Sequence, residues 1–271
     1  MKKYLLLALL IFELQNSFSQ IPFLGQAVPD STPVLFNLPV SPGFFAAEKI
    51  AISSDGKELY YSELDGYFHL ARIKYFHWNN GSWGNPKVLF ESFFSPSLSI
   101  DGNKMFFQSL THEHEVWYSE KTSTGWSTPA QFMPGKNLTY SLQETRTGYY
   151  YLSSENPKGG MGNWDWAKIK TDGSQALPES LGAVLNTSGK DIDFYIAKDE
   201  SYILIVRLGN IKISYHNSNG GWSQPQDLLS GWAPWVTDDN AYLFFTDGND
   251  PSNVKIYWVD FKKLIAKKLS H

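Results

Sequence analysis

The sequence of 271 residues contains no cysteine, so neither a disulfide frame nor thiol chemistry is open to it. Charged residues make up only 18% of the chain, the formal net charge is −4, and no segment gathers Lys and Arg into a stripe. The basic footprint that polyanion binding needs is missing, and nucleic acid is excluded as an expected partner. No apolar run approaches the roughly 20 residues needed to cross a bilayer. The sequence also lacks Gly-x-Ser-x-Gly, a Walker loop, a Rossmann glycine run and His-Glu-x-x-His. The hydrolase, nucleotide-binding, dinucleotide-binding and zinc-protease classes that depend on those motifs drop out.

Apolar and aromatic residues are abundant instead. Hydrophobic residues are 42% of the chain and aromatic residues 16%, enough to bury a sizeable core and to exclude disorder. The N-terminus reads as an export signal, with Lys2 and Lys3 followed by the apolar stretch Tyr4 to Phe12 and by Ser17 and Ser19 ahead of Gln20. A signal peptide over 1–19 and a single domain over 20–271 are therefore expected, in a monomeric protein delivered to the periplasm or secreted. No cysteine follows the cleavage site to carry a lipid anchor.

One short pattern returns along the chain. Ile52-Ser53-Ser54-Asp55-Gly56 precedes Leu59-Tyr60-Tyr61-Ser62, and Leu98-Ser99-Ile100-Asp101-Gly102 precedes Met105-Phe106-Phe107. Val236 to Asn240 before Leu243-Phe244-Phe245 and Ile196 to Glu200 before Ile203-Leu204-Ile205 repeat it, and Glu144 to Gly148 before Tyr149-Tyr150-Tyr151 is a copy without its Asp-Gly. The turn residues fall at 55, 101, 145, 199 and 239, a period in the forties with one longer interval. Third strands are expected at 68–75, 116–119, 165–169, 211–215 and 254–259. After three of them stand Trp83-Gly84-Asn85-Pro86, Trp126-Ser127-Thr128-Pro129 and Trp222-Ser223-Gln224-Pro225. Four short strands per period predict an all-β chain, a five-bladed β-propeller of four-stranded antiparallel blades. The last unit runs into a Lys-rich, helix-like segment at 261–269, and Pro33 to Leu38 is the strand expected to complete it from the N-terminus and remove an exposed edge.

These repeats, together with Leu243-Phe244-Phe245 and Ile256-Tyr257-Trp258-Val259-Asp260, resemble the TolB-type, WD-like propeller repeat of exported bacterial proteins over nearly all of residues 33–260. The resemblance implies the fold. Members of that broad family include periplasmic binding scaffolds, peptidase propellers and oligogalacturonate lyases. As a short exported propeller the chain is also similar to an oligosaccharide dehydratase of ulvan-degrading gene clusters.

In such a ring the Asp-Gly turns lie on one face, and the opposite face gathers the starts of the inner strands and the loops between second and third strands. The strand starts supply Glu48, Lys49, Ser95, Tyr140, Asp191 and Asp193; the loops supply Glu63, Asp65, His112, Glu113, His114, Arg207, Asp247 and Asp250. His112 and His114 can point the same way from a strand end, as a general base with its helper or as a metal pair, and they read equally as a solvated polar loop. Arg207 ends the apolar run Ile203 to Val206, where its fork suits a carboxylate or a structural partner Asp. Tyr140 and Tyr195 are the further candidate proton donors. Lys49 and the rings of Trp164, Tyr195 and Trp232 are the expected substrate contacts, although tyrosine is abundant here and core or inter-blade packing is the readier reading of Tyr140 and Tyr195. The glycine-rich loop from Glu155 to Trp164 has the composition to move over the channel mouth. The chemistry these residues fit is β-elimination across C4–C5 of a uronic acid in an oligosaccharide, with no redox cofactor and a divalent metal left open. The alternative is a non-catalytic binding or scaffold propeller for glycans or proteins.

Overall fold

Each aromatic repeat folds into one antiparallel sheet, and five sheets follow one another around a ring. The structure is a computed structural model and describes residues 23–66, 68–112, 115–133, 138–250 and 252–269, so the export segment and His114 lie outside it. Blade one runs Phe44–Ile52, Glu58–Asp65, Ala71–Asn79 and Lys87–Glu91 from the axis outward. The inner strands of blades two to five are Phe93–Leu98, Thr139–Glu144, Phe194–Ile196 and Trp232–Val236. Among the described residues no helix is long and apolar enough to cross a membrane.

The doubled aromatics of the second strands explain the ring. In a strand, neighbouring side chains point to opposite faces, and a strand covered on both faces reads as a continuous apolar run. Tyr60 packs toward blade two with Met105 and Phe107, while Tyr61 packs toward blade five with Phe244 and Trp258. Phe106 likewise faces blade three through Leu142 and Leu152. Every seam between blades is filled in this way, so the core is a set of wedges around the axis.

The Asp-Gly turns hold the first two strands of each blade in register. Asp55 Oδ1 accepts the Ser53 hydroxyl at 2.7 Å and the Lys57 amide at 3.1 Å, with Gly56 at φ 71°. Asp101 repeats this with Ser99 and Asn103, and Asp239 with Thr237. In blade three the turn has lost its Asp, and Thr145 donates instead to Glu200 of blade four at 2.9 Å.

Ring closure uses the N-terminal segment. Val34 and Leu35 pair with Trp258 and Tyr257 as the outer strand of blade five. Phe36, 2% exposed, sets its ring edge-on to Phe244 and Trp258 at 5.0 and 5.3 Å. The helix Phe261–Leu269 follows, its start capped by Asp260 Oδ1 accepting the Lys263 amide.

Two local expectations shift. The third strand of blade one begins at Ala71 rather than at residue 68, because Asp65 Oδ1 accepts the His69 and Leu70 amides and bends the chain there. The glycine-rich loop of blade three is tied down. Asp165 accepts the Met161 and Gly162 amides, Lys158 bridges to Glu179, and a Cβ on Gly162 would lie 2.7 Å from the Gly189 carbonyl oxygen.

Candidate functional site

Four of the five inner strands are interrupted by a bulge at the same level of the channel. Register slips between Ala47 and Ala51, Phe94 and Ser97, Tyr140 and Gln143, and Trp232 and Trp235. At each slip one non-glycine residue takes a left-handed conformation: Glu48 at φ 67°, Ser95 at 56°, Ser141 at 55° and Ala233 at 49°. Such residues cost on the order of 1–3 kcal/mol each and persist where the surroundings hold them. A bulge also re-aims its side chains and frees backbone amides. The freed Ser95 amide donates to the fully buried Ser62 hydroxyl at 2.9 Å, and the Ala233 amide hydrogen-bonds the Asp193 carboxylate.

The result is a polar centre on the axis of an apolar ring. Ser95 donates to Glu48 Oε2 at 3.1 Å, and the Lys49 ammonium lies 5.0 Å from the centre of the Phe194 ring. Lys49 is 2% exposed and its Nζ has no hydrogen-bond partner among the described residues; the buried Ser141 hydroxyl has none there either. Glu48, Tyr140 and Asp193 keep some accessible surface although protein surrounds them on all sides, so the surface they show is that of the channel lumen.

Electrostatics follow from that burial. Loss of water and the neighbouring Asp193 push the Glu48 carboxyl up to about 8, against the Ser95 hydrogen bond and Lys49. Burial likewise pushes Lys49 down to about 8, opposed by Asp193 and Glu48. Asp193 and the Tyr140 phenol are both raised, first by burial. Two groups that exchange a proton near neutrality and a third that holds one tightly make this centre able to give or take a proton.

On the loop face Phe45, Phe94 and Val254 are buried in one apolar cluster, with Tyr140 and Trp232 half-buried against it. At the turn face the channel narrows to a cavity of about 20 Å³ lined by residues of every blade, among them Ser97, Gln143, Tyr195 and Trp235. That holds about one water, whereas small-molecule sites run to about 300–1,000 Å³.

Of the residues singled out by sequence, Lys49 and Tyr140 belong to this centre, and Trp232 packs against the apolar cluster beside it. Tyr195 is 5% exposed in the seam between blades four and five, beside Tyr202. His112 stands in the loop-face turn of blade two, its Nδ1 3.1 Å from the Thr111 hydroxyl and its ring 5.5 Å from Trp117. Arg207 is held in the seam between blades three and four, donating to the Leu185 carbonyl and pairing with Asp191 at 3.3 Å, its guanidinium 5.6 Å from the centre of the Trp166 ring. Trp164 is 4% exposed where the third strand of blade three begins. His112, Arg207 and Tyr140 thus have separate sets of neighbours. Among the described residues no three His, Asp or Glu side chains converge as a metal site. The partners that sequence reading did not single out as a set are Glu48 and Asp193; the visible signal is a charged pair, Glu48-Lys49, inside the otherwise apolar strand Phe44–Ile52.

No family model and no curated protein matches the chain. Solved structures do match it. TolB from Acinetobacter baumannii is 14% identical with a TM-score of 0.53, the match covering 80% of this chain and 52% of that one. A protein assigned as TolB from Agrobacterium tumefaciens gives 14% and 0.53 over 80% and 75%. The catalytic domain of a GH62 α-L-arabinofuranosidase from Coprinopsis cinerea gives 9% and 0.51 over 84% and 94%. The chain spans about half the length of the Acinetobacter protein. At these identities the likeness is one of fold, and the fold is a TolB-like propeller.

Proposed function

We propose that this protein is an exported propeller that binds oligosaccharide without transforming it. The observation that supports the reading most is how little room the described residues leave around the polar centre: the apolar cluster of Phe45, Phe94 and Val254 packs on its loop-face side, and its turn-face end has room for about one water. Recesses of a size suited to a sugar lie on the outside instead, with volumes of about 680, 430 and 460 Å³.

A second reading is favoured by the unpartnered Lys49 ammonium beside Glu48 and Tyr140. If a uronate reaches the centre, Lys49 neutralises its carboxylate and Glu48, in its ionised form, removes the C5 proton. The C4–O bond then breaks, the C4–C5 double bond forms, and Tyr140 protonates the departing oxygen. Loss of water would make the protein a dehydratase of the ulvan-cluster type, and loss of a sugar a lyase.

Calorimetric titration with xylohexaose, cellohexaose and hexagalacturonate, with absorbance of the conjugated double bond followed in parallel, separates the readings. Binding heat without a rise in absorbance is the expected result. A catalytic rise with hexagalacturonate establishes elimination, and absence of binding to all three overturns the binding proposal.

A further inference from the structure

Three loops of blades three and four meet on the loop face and form one rim. They are 156–163 between the second and third strands of blade three, 181–190 leading into the inner strand of blade four, and the hairpin tip 207–210 between its second and third strands. Backbone contacts hold them together. The Asp191 amide donates to the Trp164 carbonyl at 2.9 Å, a Cβ on Gly162 would lie 2.9 Å from the Thr187 carbonyl oxygen, and Arg207 donates to the Leu185 carbonyl. We propose that this rim docks the protein on an anionic lipid surface, with Leu208 entering the acyl boundary and Lys158 and Lys190 on the headgroups. The inference goes beyond the oligosaccharide binding proposed above and does not depend on it.

The apolar part is exposed without a folding reason. Leu208 is 95% exposed at the hairpin tip, in a left-handed conformation at φ 52° that Asn or Gly adopts more readily. A side chain so exposed adds nothing to the core, and the backbone there favours another residue, so the leucine answers to something outside the fold. Met161 and Val184, one from each of the other two loops, are exposed as well. The tip is also stiff. The Asn210 side chain donates to the Leu208 carbonyl at 3.1 Å, and the Gly231 amide donates to the Gly209 carbonyl at 2.8 Å. A tip already ordered loses little conformational freedom when it inserts.

Charge identifies the surface. The three loops contain no Asp or Glu, in a chain that has 27, and they carry Lys158, Lys190 and Arg207. Both lysines are exposed. Of the bordering acids, Asp165 and Asp191 are buried, the first accepting the Met161 and Gly162 amides and the second paired with Arg207. Glu155 is half-buried, and Glu179 lies on the outer strand of blade three beside Lys158. The corresponding tip of blade five has the opposite character, with Asp247 and Asp250 in a polar turn. A protein of net charge −4 thus gathers positive charge and exposed apolar side chains in one sector. Anionic headgroups attract the lysines, and the boundary beneath them takes the apolar tip.

The test sediments the full mature chain with phosphatidylcholine vesicles, either pure or containing about 30% phosphatidylglycerol. Binding to the anionic vesicles is expected to be about tenfold or more tighter, and to weaken as NaCl rises from about 0.05 to about 0.5 M. Leu208→Asn should weaken it by about tenfold although Asn suits the turn, so misfolding does not explain the loss. Lys190→Gln should weaken it by about fivefold. Because the chain has no cysteine, Leu208→Cys takes an environment-sensitive dye at that point alone. Its emission should shift to the blue with anionic vesicles, whereas the same dye on a Val88→Cys variant, in the outer strand of blade one, should not respond. Absence of binding to the anionic vesicles, equal binding to both kinds, or binding that leaves the dye at position 208 in water overturns the proposal.

Discussion

Replacing Glu48 with glutamine should make the protein more stable, by an amount that grows as pH rises above about 4.5 and levels off above about 8. Burial and Asp193 raise this carboxyl from its ordinary 4.5 to about 8, so the folded protein keeps a proton that the unfolded chain has released. Stability from this group is therefore complete below about pH 4.5 and is lost as pH rises toward about 8. Each pH unit in that interval is worth about 1.4 kcal/mol, on the order of 5 kcal/mol over the whole interval as an upper bound. Relaxation and water in the lumen reduce it, so an effect of about 2–5 kcal/mol is expected. The amide that replaces the carboxyl keeps an acceptor for the Ser95 hydroxyl and carries no charge to bury. Urea denaturation of wild type and Glu48→Gln should give nearly equal stabilities at about pH 5, with the variant ahead by the stated amount at about pH 9. Lys49 adds a separate mark: its value of about 8 lies below its ordinary 10.5, so stability recovers in both proteins as pH rises through that range. A stability difference that stays constant from about pH 5 to about pH 9, or a variant less stable than wild type at about pH 9, would refute the burial argument.

Glu63 is buried at 0% exposure, bound by Arg72 at 2.7 Å and Lys74 at 2.8 Å, so Glu63→Gln should cost about 3–5 kcal/mol by chemical denaturation. Burial raises its carboxyl but these partners outweigh that and lower it, so the wild-type advantage should fade as pH drops below the ordinary value of 4.5. Phe36→Ala should cost about 3–5 kcal/mol through the void left against Phe244 and Trp258, and equal melting temperatures would remove the role given to the closing strand. Leu208, 95% exposed at φ 52°, occupies the first turn position of a two-residue hairpin ahead of Gly209 at φ 72°. Leu208→Asn creates the Asn-Gly turn that this geometry favours and should stabilise by about 0.5–1 kcal/mol; a loss of stability would contradict the turn assignment.

The ring was legible because its signals are local. Ser-x-Asp-Gly states a turn within five residues, and paired aromatics state a strand covered on both faces. Even the closing strand could be placed, since blade five lacked an outer strand and Val34 and Leu35 were available. Where a contact crosses blades, local pattern fails. The degenerate turn at Thr145 is completed by Glu200, and the polar centre needs Glu48, Ser95, Asp193 and the Ala233 amide from four blades. That assembly depends on bulges, which shift register by one residue in blades two, three and five and by two in blade one, and leave no mark in composition. Arg207 reads equally as a clamp for a substrate carboxylate and as the partner of a structural Asp, and local pattern cannot name that Asp: Asp191 and the Leu185 carbonyl, both from the segment before the inner strand, hold it.

The most direct measurement is the mass of a bound oligosaccharide recovered after prolonged contact with an equimolar amount of the mature protein. Hexagalacturonate and xylohexaose should each be recovered unchanged, with xylohexaose retained on the protein through gel filtration. A product lighter by one water, or shorter unsaturated fragments, would show that the channel opens to substrate and that the protein is a lyase rather than a binder.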